Sequence, residues 1–285
     1  MVGSPDRGDL RPGTGEWSGV RLVATDLDGT LLSPGGTVSA RTAAAVRAAR
    51  RAGIPVLPVT GRPPQSLWEP AGAAGLGPLG ACSNGAVIVD VDTRTVISAD
   101  HLPGEVASRL VSDARRVDPE LRFAVDNLDS FTHEPRFFDT AAGWDGEVVR
   151  PADDLGPALE AGCLKLIARR PGLSSIELIR RLAPALGPEV HLTTSGLDWV
   201  DIGLLGVTKA TALARLCRRL GVAAGEVVAV GDNHNDLAML EWAGRGLAVA
   251  NAAPEVLEAA DGVLPANTDD GVSQLLERIV ADRVT

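Results

Sequence analysis

An apolar run, Val20 to Ala24, leads into Asp26-Leu27-Asp28-Gly29-Thr30, and far along the chain a second run, Glu226 to Val230, leads into Gly231-Asp232-Asn233-His234-Asn235-Asp236. Short apolar runs closed by glycine read as buried strands. Between them the pattern predicts a helix from Ala40 to Ala52, capped by Ser39 and stopped by Gly53, then a further apolar run, Ile54 to Val59. That order is a β-α-β unit, so Thr60-Gly61-Arg62 returns to the same sheet end as Asp26. The fold class is α/β with a parallel sheet, and in open sheets of this kind the carboxyl end carries the site.

The residue types at that end point to phosphate chemistry. Asp26 and Asp28 are two apart, and on extended backbone such residues share a face. Carboxylates that close repel unless a cation or a proton intervenes. Mg²⁺ takes oxygen ligands and keeps positions for water and phosphate, and a carboxylate beside a phosphoryl group can act as nucleophile. Asp232 and Asp236 can complete the oxygen shell, directly or through water. The Thr60 hydroxyl and free N–H groups nearby suit phosphate oxygens, although by itself Thr60 reads equally as a helix cap or turn residue. Lys209 opens a helix that runs to Leu220, against the helix dipole, and two readings stand for it: a solvated surface ammonium, or one that faces the phosphate and Asp26. His234 is read as a loop residue at the edge of the site. Asn251 follows the strand Gly246 to Ala250 and is either a polar contact there or a turn residue.

These segments, in this order, resemble the motifs of the haloacid dehalogenase (HAD) superfamily: Asp26-Leu27-Asp28-Gly29-Thr30, Thr60, Lys209, and Gly231-Asp232 through Asp236. Asn84-Gly85-Ala86 is similar to the point where the Cof-type branch, subfamily IIB, leaves its core for a cap. One departure is Ala210, where the family usually has glycine after the lysine. The resemblance implies a Rossmann-like doubly wound parallel-sheet core, residues 20–86 and 203–285, with an inserted α+β cap at 87–202 behind a flexible tail at 1–19. It implies that Asp26 attacks the phosphorus of a phosphate monoester and that Asp28 protonates the leaving oxygen, then activates water. Asp26, the Asp28 carbonyl, Asp232 and Asp236 would serve Mg²⁺, and Thr60, Gly61, Arg62, Asn84, Lys209 and Asn235 would bind phosphate or substrate. The expected substrate is a small phosphorylated metabolite, sugar phosphates above all. Cap residues Asp126, His133, Glu134, Arg136 and Trp144 are polar or aromatic candidates for reading it. A phosphohexomutase of the same fold, or a protein that stores phosphate without turnover, are the alternatives. The intact Asp28 and the large cap count against storage.

Composition narrows the partners. A formal charge of −10 and a pI near 4.9 work against nucleic acid or an anionic membrane. Hydrophobic residues at 45% allow a substantial core. Three isolated cysteines form no CxxC pair and fit a reducing, cytoplasmic setting. No run has the length of a membrane span, and the polar Met1 to Gly19 is not a signal peptide. Oligomeric state is not legible from these residues.

Overall fold

The computed structural model describes residues 16–138 and 149–284. The chain opens with β1 (Leu22–Thr25), α1 (Ala40–Arg51), β2 (Val56–Pro58), α2 (Trp68–Ala74) and β3 (Leu79–Cys82). Ser39 caps α1 by accepting the Thr42 N–H at 3.0 Å, and Gly53, at φ +78°, takes the chain out of it. The hairpin β4 (Val87–Asp90) and β5 (Thr95–Ala99) then pairs antiparallel with β3.

A middle segment follows: α3 (Gly104–Val117), β6 (Arg122–Asp126), β7 (Phe131–His133), β8 (Val149–Pro151), α4 (Gly156–Glu160), β9 (Lys165–Arg169), α5 (Ser175–Leu182), β10 (Val190–Thr193) and β11 (Trp199–Leu204). The chain ends with α6 (Lys209–Leu220), β12 (Val227–Gly231), α7 (Leu237–Trp242), β13 (Arg245–Val249), α8 (Pro254–Ala259), β14 (Gly262–Leu264) and α9 (Gly271–Val284).

Among the described residues these strands form three sheets. The first, in order β14-β13-β12-β1-β2, is parallel throughout. β3 continues it beyond β2, where Thr60 N–H donates to the Ala81 carbonyl at 2.9 Å. Its strands β1, β2 and β12 are buried on both faces, as a doubly wound sheet requires, and each fully buried aliphatic side chain contributes about 1.5–3 kcal/mol. The middle segment builds a second sheet, β10-β11-β9-β6-β7-β8, which is antiparallel except for β7 with β8. Strand alternation splits it cleanly. Phe123, Val125, Leu166, Ala168, Val200 and Ile202 face one way, into a cluster with α3 and α5. Asp126, Lys165, Ile167, Trp199 and Asp201 occupy the alternate positions. The α/β core with an added α+β layer is thus as expected.

Three details differ from the sequence reading. Trp17 is 3% exposed and donates its N–H to Asp282 Oδ2 at 2.9 Å, with the Arg245 guanidinium over its ring, so the last stretch of the expected tail packs on the core. Residues 1–15, like Trp144, lie outside the described residues. β4 and β5 pair with β3, and Val87, Ile88 and Val89 share the large apolar cluster of β1 and β12, so the hairpin packs with the parallel layer rather than with the middle segment. β8 and α8 were not anticipated, since each is short and carries proline.

Candidate active site

Asp26 leaves β1 at its carboxyl end, and its N–H donates to the Val230 carbonyl at 2.9 Å, which ties it to β12. The loop Leu27–Leu31 turns at Gly29, φ +80°, where a Cβ would collide with the Asp232 carboxylate. Asn251 Nδ2 donates to the Gly29 carbonyl at 2.7 Å, so this asparagine is a contact that braces the loop. Thr208 caps α6 and sets Lys209 at its first position, 1% exposed. Lys209 Nζ donates to Asp26 Oδ1 at 2.6 Å and to Asp236 Oδ1 at 2.7 Å. Asp236 Oδ2 accepts the N–H groups of Asp232 and Asn233, both at 3.0 Å. Thr30 Oγ1 donates to Asp232 Oδ1 at 2.6 Å.

One oxygen from each of Asp26, Asp232 and Asp236 lies within 4.8 Å of the others. Three carboxylates share one ammonium, so the cluster is short of positive charge. Burial, with Asp236 and Asp232 adding and Lys209 opposing, holds the Asp26 carboxyl well above its usual range. Burial and the Asp236 charge push Asp232 up to about 6, against the Thr30 hydrogen bond and Lys209. Burial disfavours the Lys209 charge, but Asp236 and Asp26 outweigh it and hold the ammonium above its usual range. The donor set therefore fits a hard divalent cation. Asp26 and Asp232 each keep one oxygen beyond the bond just described, whereas both oxygens of Asp236 are engaged.

The Asp28 carboxylate does not join this cluster, although spacing placed it on the same face as Asp26. It is gripped by the Arg62 fork, Nε to Oδ2 at 2.7 Å and Nη2 to Oδ1 at 2.6 Å. The guanidinium attracts this carboxylate bidentately, while the three neighbouring carboxylates repel it. Thr60 is buried, and its hydroxyl accepts the Arg62 N–H at 3.1 Å, shaping the turn. Asp26, Asp28, Gly61, Arg62, Asp232 and Asn235 line a cavity of about 540 Å³. His234 lies outside that lining, beside Asn233 and Glu255.

Asn84 sits in a turn where Ser83, Asn84 and Gly85 all have positive φ: 48°, 55° and 100°. Its side chain joins the two sheets. Nδ2 donates to Asp201 Oδ2 at 2.8 Å, while Oδ1 accepts from Asn235 Nδ2 at 3.0 Å. Lys165 Nζ reaches from β9 to the Gly61 carbonyl at 3.1 Å and to Asp201 Oδ2 at 3.2 Å. Ser83 Oγ donates to Asp126 Oδ2 at 3.0 Å. Lys165, Asp201, Ser83 and Trp199 were missed from sequence. The signal was present: a lysine and an aspartate at alternate positions of otherwise apolar strands. Of the residues singled out instead, one stands at this junction and three lie away from it. Asp126 is wholly buried at this junction, His133 packs on Phe138, Glu134 pairs with Arg115, and Arg136 is exposed.

The family model described as haloacid dehalogenase-like hydrolase matches residues 23–276. The chain belongs to that family. Within it, the chain falls in the Cof-type phosphatase branch, subfamily IIB. Pyridoxal phosphate phosphatase YbhA of Escherichia coli (strain K12) is 28% identical over 266 residues, 90% of this chain and 97% of the relative. The 5-amino-6-(5-phospho-D-ribitylamino)uracil phosphatase YcsE of Bacillus subtilis (strain 168) is 27% identical over 272 residues, 92% and 96% respectively. The solved structure of the HAD phosphatase BT1666 from Bacteroides thetaiotaomicron superposes with a TM-score of 0.79 at 25% identity, covering 95% of this chain and 98% of that one. This HAD chain is accordingly a phosphoric monoester hydrolase by family. Its described helices include none long and apolar enough to cross a membrane.

Proposed function

We propose that this HAD chain hydrolyses a small phosphate monoester, with Asp26 as nucleophile. The observation that carries the reading is the Asp26–Lys209–Asp236 chain of short hydrogen bonds, which meets the cavity at Asp26. Lys209 holds Asp26 by one oxygen and so aims the other, while the ammonium offers positive charge to a phosphoryl group. Attack by Asp26 on phosphorus forms the aspartyl-phosphate and releases the alkoxide, which Asp28 protonates. Asp28 then takes a proton from the water that cleaves the acyl phosphate. In the resting site the Arg62 fork holds the Asp28 carboxylate at the cavity rim, so Asp28 must leave that fork and take up a proton before it serves as the acid.

Mg²⁺ fits the hard-oxygen, charge-deficient cluster; when bound it neutralises the phosphoryl oxygens. Asp26 and Asp232 have oxygens that would hold it, and the Asp28 carbonyl would be a further ligand. Asp236 acts from behind, by bracing Lys209 and the Asp232 loop. Gly61, Asn84 and Asn235 shape the phosphate pocket, Asn84 through Asn235. Residues from about 100 to 204 act as the cap and the hairpin 87–99 belongs with the core, a boundary supported by the packing of β4 and β5. YbhA and YcsE are named for phosphorylated heterocycles, and a sugar phosphate was the expectation from sequence, so the substrate is a small phosphorylated metabolite of one of these kinds. Three free, buried cysteines support a cytoplasmic setting.

The test is phosphate release from a panel of such esters. We expect release to require Mg²⁺, to stop with a chelator, and to fall about a thousandfold or more in Asp26→Asn. Release that survives Asp26→Asn in folded protein would sink the mechanism.

A further inference from the structure

The roof of the cavity is the face of the β10–β8 sheet that turns away from α3 and α5, and it is graded along its length. At the junction end stand Asp126, Lys165 and Asp201. Next come Ile167 and Trp199, both lining the cavity with Leu197 from the β10–β11 loop. Behind Trp199 lies an aromatic packing group: Phe137 at 5.8 Å between centroids and Phe138 edge-on at 6.4 Å, with Phe131 against both. Aromatic residues make up only 3% of this chain, so four of them gathered behind one wall set this region apart. The indole is thereby held in place before a ligand arrives, which lowers the entropy cost of stacking on it.

Where the roof lines the cavity its polar supply is small, since Asp126 and Asp201 are buried and lie outside that lining. Lys165 has used two of its three N–H bonds, on Gly61 and Asp201. One is left. Ser195 adds a hydroxyl. A hexose would bring several hydroxyls against Ile167, Leu197 and Trp199, and each left without a partner weakens binding on the order of tenfold. A flat ring loses nothing there, and a single acceptor on its edge matches the one N–H that Lys165 has free.

We propose that the leaving group of this enzyme is a planar heteroaromatic alcohol: a ring that stacks on Trp199 and turns one acceptor atom to Lys165. The inference rests on the phosphatase reading for the place of the phosphate but not for the preference itself. Binding therefore tests it apart from turnover. Asp26→Asn protein in Mg²⁺ is titrated calorimetrically with pyridoxine 5′-phosphate and with glucose 6-phosphate, both primary esters that differ in the ring. The aromatic ester is expected to bind at least tenfold more tightly. Trp199→Leu, which keeps an apolar neighbour for Phe137, should cut that ratio at least fivefold, and Trp199→Phe should keep it, with folding of each checked by circular dichroism. Equal or tighter binding of the sugar, no binding of the aromatic ester, or a ratio indifferent to Trp199→Leu in folded protein overturns the proposal. Preferred binding of the aromatic ester by a wild-type protein that hydrolyses neither would instead overturn the phosphatase reading alone.

Discussion

Lys209 shows how much can depend on one side chain. It is buried between Asp26 and Asp236, with no solvent to share its charge. Lys209→Met would leave two buried carboxylates facing each other and should cost about 3–5 kcal/mol of stability. Because the excess charge is negative, Mg²⁺ should raise the melting temperature of the variant more than that of the parent, as calorimetry with and without the ion would show. Asp126 gives a second test. Burial, opposed by Lys165 and Ser83, lifts its carboxyl to about 6 from a usual 3.8. Between those values the folded chain holds a proton that the unfolded chain lacks, so stability falls as pH rises through the window. Above it the full penalty applies, about 3 kcal/mol. Asp126→Asn should therefore unfold at a higher denaturant concentration than the parent at neutral pH, with the advantage vanishing towards about pH 4. Arg62→Lys, which loses the two-pronged grip on Asp28, should lower kcat/KM roughly tenfold with little change in stability.

At the scale of elements, the parallel layer was the legible part. Its strands are apolar throughout, its helices carry Ser39 and Thr208 as caps and Gly53 and Gly221 as stops, and its acidic loops follow strand ends directly. Each of these is a local signal. The roof was not legible, because the partner of Lys165 is set by which strands become neighbours. Only the register of Asp126 opposite Lys165, and of Ile167 opposite Asp201, brings those charges together. Asp28 was misplaced for a related reason: spacing along β1 says nothing about the guanidinium that comes from the end of β2. The turn Ser83–Gly85 offers a test at this scale. A Cβ on Gly85 would run into the Thr208 carbonyl at the start of α6, and φ there is +100°. Gly85→Ala should cost roughly 2–4 kcal/mol and, by shifting the start of α6, reduce kcat through Lys209, whose position α6 sets.

For the whole molecule, two sheets of different construction meet over one cavity, with Leu164 of the middle segment reaching the core's apolar cluster and several polar contacts across the junction. Lys165 to Gly61, Asp201 to Asn84 and Asp126 to Ser83 are the named bonds across that junction. Asn84 and Asp201 stand 117 positions apart, yet one buried hydrogen bond joins them. Neither changes alone without cost: an apolar residue at Asn84 leaves Asp201 with Lys165 as its partner and takes the acceptor from Asn235 Nδ2, and a second acid there sets like charges together. Viable exchanges at the two positions therefore come as matched pairs, and among diverging relatives the two columns should drift in step, one inherited choice written at two distant places in the gene.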